Sequence, residues 1–138
     1  MAHPGFQEIL LYGMSYPRPR ISMLKKHYTD VEEQVPTEEG VKDTKIRWLL
    51  TDKDGAKNFA MRVFTIQPGG HTPHHTHDWE HELFMLEGEA VLRSGDEKIL
   101  FRPGDFAFIK PNELHQIRNE SKGPAVVMCL IPYKGKCD

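Results

Sequence analysis

Five of the eight histidines fall between positions 71 and 81, as His71, His74, His75, His77 and His81. Neutral imidazole is the commonest metal ligand that protein supplies, and a His-x-His pair on an extended chain turns both rings to one face because side chains alternate with period two. His75 and His77 therefore aim at a common point. His81, four residues on across Asp78-Trp79-Glu80, can return on the next strand with a third ligand. A fourth must come from elsewhere, and His115, which opens a strand after the turn Pro111-Asn112-Glu113, is the histidine placed to supply it. The chemistry expected is the binding of one divalent transition-metal ion per chain by His75, His77, His81 and His115. The bland alternative, a solvated histidine-rich loop that captures metal adventitiously, does not account for the distant His115 in its own turn. His71 and His74 lack the period-two relation and are expected in a loop near the mouth of the site.

The elements that must hold these residues are short. Apolar segments rich in Val, Ile and Phe recur between turn signals at Pro68-Gly69-Gly70, Gly88, Ser94-Gly95-Asp96, Pro103-Gly104-Asp105 and Pro111-Asn112, a rhythm that predicts an all-β sandwich or barrel. The expected strands are Lys45 to Leu50, Asn58 to Ile66, Glu80 to Leu86, Glu89 to Arg93, Lys98 to Phe101, Phe106 to Ile109, Leu114 to Asn119 and Ala125 to Ile131. Thr29 and Glu32 have capping-box spacing, but Pro36 limits any helix there to about one turn. Leu83 to Leu86 and Val126 to Leu130 are apolar on both faces, so a second layer must cover the outside of the barrel, and a homodimer is the expected source.

With 138 residues, one core and one domain are expected, here residues 23 to 138 preceded by an N-terminal extension, 1 to 22, that carries no recognisable chemistry. Lys+Arg 18 against Asp+Glu 20 gives a formal charge of -2, which excludes the basic footprint of a nucleic-acid binder or of a protein held on an acidic membrane. The longest apolar run, Ala125 to Ile131, falls short of the ~18 residues of a membrane span. No basic start followed by an apolar stretch opens the chain, and a cytoplasmic protein is expected. Of the two cysteines, Cys129 reads as a small core residue and Cys137 lies on a polar tail.

The stretches around these histidines resemble the two motifs of the cupin superfamily. Gly69, His75, His77 and Gly88 fit the first, with His81 standing where the family commonly has a Glu; Glu82 matches the alternative spacing by one residue. Pro103-Gly104-Asp105, Pro111, His115 and Asn119 resemble the second, with the proline shifted by one residue and Glu113 in place of a glycine. The likeness covers roughly residues 23 to 133 and is greatest to small monodomain cupins with a four-histidine metal site. It implies a cupin barrel (a double-stranded β-helix, jelly-roll-like) and a bound Mn, Fe, Cu, Ni or Zn ion.

Four neutral ligands leave such an ion its full double positive charge, so an anionic small molecule is the expected partner, chelating through enolate, α-keto-acid or catecholate oxygens. The expected activity is that of a metal-dependent oxygenase on a small enolisable or phenolic compound. The alternatives are a non-catalytic metal-dependent binding protein and a metal-dependent isomerase or decarboxylase. Glu80 and Glu82, flanking His81, should face away from the site. Arg62 can meet an anion only if its strand turns it inward, and the surface is the commoner place for an arginine.

Overall fold

The computed structural model describes residues 22–133; the apolar patch Ile9 to Tyr12, the proline-spaced segment Tyr16 to Arg20 and Cys137 lie outside the described residues. The described residues form eight strands: β1 (Lys42–Leu50), β2 (Phe59–His71), β3 (His81–Glu87), β4 (Ala90–Ser94), β5 (Glu97–Phe101), β6 (Phe106–Ile109), β7 (Gln116–Arg118) and β8 (Ala125–Pro132). They pair in the order β5-β4-β7-β2-β8-β3-β6, with β1 on the remaining side of β2. All named pairings are antiparallel, and the sheet curls into a nearly closed barrel. No helix among the described residues is long and apolar enough to cross a membrane.

The alternation of β2, β3 and β8 determines what the barrel contains. Ala60 pairs with Ile131, Arg62 with Cys129, Phe64 with Val127 and Ile66 with Ala125. Leu83 pairs with Cys129 and Met85 with Val127. Residues of this inward set join Phe101, Ile109 and Ile117 in one core cluster. Full burial of each large aliphatic side chain contributes on the order of 1.5–3 kcal/mol, which makes this layer the main source of stability around the site.

The structure corrects three local expectations. Pro68-Gly69-Gly70 is not a turn: β2 runs through it to His71, with Gly69 at φ 82, so that Lys42 and Arg118 both pair with His71. The close approach is visible at Gly70, where an added Cβ would meet the carbonyl oxygens of Lys42, Asp43 and Gln67 at 2.7–2.9 Å. The single helical turn is a 3-10 turn at Tyr28–Asp30 with His27, not Thr29, as its cap; His27 and Asp30 form the reciprocal box. His71 lies in β2 rather than in a loop, and His74 is fixed to the β4–β5 turn by accepting the Gly95 amide at 3.2 Å.

The outer face is only partly covered. Val63 and Val126 are buried, whereas Phe84 is 39% and Phe106 82% exposed, with Phe108 and Leu86 beside them.

Candidate metal centre

At one end of the barrel the chain leaves β2 and passes through His75, which forms an isolated antiparallel bridge with His115; each amide donates to the other's carbonyl at 3.1 Å. That bridge brings the two distant parts of the sequence together. The following loop carries His77, whose carbonyl accepts the Asn112 amide at 2.6 Å, and Asn112 takes the left-handed φ of 68 that Asn tolerates well. One ligand nitrogen from each of His75, His77 and His115 lies within 4.8 Å of the others, a cluster that can hold a metal ion.

Hydrogen bonds on the far side of two rings prepare them as ligands. His77 Nδ1 donates to the Trp79 carbonyl at 2.8 Å, and His115 Nδ1 donates to the Glu113 carbonyl at 2.8 Å. With the proton fixed on Nδ1, each Nε2 keeps its lone pair for an ion, the orientation usual around metal-binding histidines. Trp79 also stacks on His77, centroids 4.0 Å apart and planes at 8°.

His81, the first residue of β3, stands beside this trio. Its Nε2 is 2.7 Å from His77 Nε2, and its centroid is 5.1 Å from that of His115. Its Nδ1 lies 3.0 Å from Cys129 Sγ and 3.3 Å from Arg62 Nη2. Glu82, one residue further, pairs with Phe108 and Leu130 and is turned to the opposite face of the sheet. Burial first, and the neighbouring Glu80 carboxylate second, raise its pKa to about 7.

Desolvation is the leading cause that keeps the histidines neutral. It lowers His75 and His115, brings His77 to about 4 and takes His81 to about 2, with the Arg62 charge the next cause at His81. Neutral imidazole is the form that binds metal, so burial maintains the donor set at neutral pH. Three or four uncharged nitrogens suit borderline divalent ions such as zinc, iron, copper and nickel.

The cluster opens on a cavity of about 830 Å³. Trp48, Arg62 and Phe64 form one wall, and Glu38, Asp52 and Lys53 also line it. Arg62 faces inward, contrary to the expectation of a surface position, and is 7% exposed. Sequence periodicity could not find it, because Phe59, Met61 and Val63 are as apolar as Ala60, Phe64 and Ile66, and neither set marks the core face. The available signal is pairing: Arg62 is opposite Cys129, the middle of an apolar strand.

This barrel, with its histidines gathered at one end, is that of a cupin, and the chain belongs to that family: residues 62–131 match the Cupin domain. Among solved structures it is similar to the polyketide cyclase RemF from Streptomyces resistomycificus, at 34% identity over 80% of this chain and 79% of that one, with a TM-score of 0.76. A sugar phosphate isomerase of the cupin superfamily from Silicibacter pomeroyi shares the fold at 18% identity, covering 80% of this chain and 76% of that one, TM-score 0.71. The mannose-1-phosphate guanylyltransferase RfbM of Salmonella typhimurium is 30% identical over 73 residues, 51% of this chain; the match spans 15% of that curated relative's length.

Proposed function

We propose that this cupin is a metal-dependent enzyme that closes a ring in an enolisable, polyketide-like or phenolic anion. The observation that carries the reading is the convergence of His75, His77 and His115 on a cavity of about 830 Å³, large enough for a multi-ring compound. The 34% identity to a polyketide cyclase supports the substrate class. His75, His77 and His115 would hold one divalent ion, with His81 as the fourth ligand once its proton moves from Nε2 to Nδ1, where Cys129 Sγ at 3.0 Å can accept it. Such an ion polarises a carbonyl oxygen and stabilises enolate charge when bound. The chain's own contributions are to keep the four imidazoles neutral by burial, to fix the His77 and His115 rings through backbone carbonyls, and to fold a flexible substrate against Trp48 and Phe64. Aldol ring closure forms one carbon–carbon bond while an α-proton passes to the former carbonyl oxygen; loss of that hydroxyl with a second α-proton then releases water and leaves a carbon–carbon double bond, and neither step needs an oxidant.

The oxygenase expected from the sequence is the second reading, favoured by a donor set that takes iron or copper as readily as zinc. The two are separated by purifying the protein without a histidine tag, measuring its metal, and incubating the loaded protein with a linear poly-β-ketone while following ring closure by absorbance and dissolved O2 by electrode. Cyclised product without O2 uptake supports the cyclase; stoichiometric O2 uptake replaces it with the oxygenase. Tight binding without turnover points to a binding protein.

A further inference from the structure

The cationic head of Arg62 is enclosed in the barrel without a counter-ion. Among the described residues no carboxylate lies within salt-bridge distance of it, and its two hydrogen-bond partners, Cys129 Sγ at 2.9 Å and His81 Nδ1 at 3.3 Å, are neutral groups reached through Nη2 alone. Its Nε is buried and has no acceptor. Removing a guanidinium from water is costly, and a buried charge left uncompensated is one of the more expensive features a core can hold. Something must offset it.

Part of the offset is aromatic. The guanidinium carbon sits 4.9 Å from the Phe64 centroid and 5.4 Å from that of Trp48, both of which line the same cavity. Contacts of this kind are attractive and hold the plane of the group, but they supply no net negative charge. Glu38, Asp52 and Asp54 line the same cavity, but none of them forms an ion pair with the guanidinium. His75, His77, His81 and His115 are neutral ligands, and an ion held by them adds charge of the same sign as Arg62. The compensating anion must therefore arrive with the ligand.

We propose that Arg62 is the anion-recognition residue of the cavity, donating from Nη1 to an enolate, phenolate or carboxylate oxygen on a planar conjugated skeleton that packs against Trp48 and Phe64. The inference rests on the substrate class proposed above and assigns the charge of that substrate to a particular side chain. The His81 ring lies between the two features, with Nδ1 towards Arg62 and Nε2 towards His77. An oxyanion on Arg62 is thus one imidazole width from the histidine cluster, close enough for one ligand to reach both. Arginine suits this task better than lysine, because its planar head can stack on the rings while donating in its own plane.

The test is isothermal titration calorimetry with three probes: 1-hydroxy-2-naphthoate, its uncharged methyl ester, and 2-naphthol. EDTA-stripped protein is used first and zinc-loaded protein second. The stripped wild type is expected to bind the naphthoate about tenfold or more tightly than the ester. Arg62→Gln should lose that preference while binding 2-naphthol as the wild type does, and Arg62→Lys should recover only part of it. Equal binding of acid and ester by the wild type, no detectable naphthoate binding, or an Arg62→Gln variant that keeps the preference would overturn the proposal. The acid-to-ester ratio is read on unaltered protein, so a poorly folded variant does not obscure the result. Failure of the metal reading shows separately, as absence of zinc uptake with the Arg62 effect intact in stripped protein.

Discussion

The Nε2 atoms of His77 and His81 lie 2.7 Å apart. Since His77 Nδ1 donates to the Trp79 carbonyl, its Nε2 presents a lone pair to His81. Two bare lone pairs at that distance would repel, so the pair shares a proton or a cation. Metal–nitrogen bonds of about 2.0–2.1 Å place neighbouring ligand atoms of an octahedral ion about 2.9 Å apart, close to the spacing found.

His81→Ala should accordingly weaken zinc affinity at least about tenfold, on the order of 1.4 kcal/mol, whereas Glu82→Gln should leave it nearly unchanged. Competition with a chromophoric chelator measures both. The reverse result would exchange the inward and outward residues of β3 and replace His81 by the carboxylate.

Acid should destabilise the metal-stripped protein in a defined window. Unfolded histidines take up protons near pH ~6.5, while burial holds folded His77 to about 4 and His81 to about 2. Between those values the unfolded chain binds more protons, so unfolding free energy rises with pH. Urea midpoints should be level above about pH 7 and fall steadily below pH ~6.5. A midpoint that rises on acidification would contradict the burial of these rings.

Gly88 joins β3 to β4 at φ 71, and a Cβ there would meet the Pro124 carbonyl oxygen at 2.1 Å. Gly95 has φ 60 but nothing within 4 Å. Gly88→Ala should therefore cost about 2–4 kcal/mol and Gly95→Ala about 1–2 kcal/mol, backbone strain alone. Parallel denaturant titrations compare them; equal losses would mean that the β8 end yields freely.

The exposed phenylalanines of β3 and β6 predict self-association, because Phe84 and Phe106 are cross-strand partners on one continuous apolar strip. Sedimentation velocity should give a dimer for the wild type and a monomer for Phe84→Lys/Phe106→Lys. A wild-type monomer at all concentrations would leave the strip to another occupant.

All eight strands were legible in the sequence because turn residues separate them and β-branched and aromatic residues fill them; Phe106 to Ile109 agrees at both ends. The sequence ends β2 at Ile66 only in appearance, since a Pro-Gly-Gly run looks the same whether it ends a strand or lets one pass under three carbonyls. The histidines are legible for a different reason: the His-x-His spacing ties His75 to His77, and the turn Pro111-Asn112-Glu113 sets up His115, which the structure bridges to His75. What periodicity could not supply was the inward face of strands apolar on both sides. Arg62 therefore faces the cavity against expectation, and Cys129 does more than pack, sitting between Arg62 and His81.

Trp79 lies flat on His77, 4.0 Å between ring centroids. An indole in that position responds to whatever draws electrons from the imidazole beneath it. A proton or a metal ion on His77 makes that ring a better electron acceptor, and the excited indole then loses energy to it instead of emitting light. The chain thus carries its own optical gauge: tryptophan emission should dim in step with occupancy of the histidine cluster, and recover when a chelator empties it.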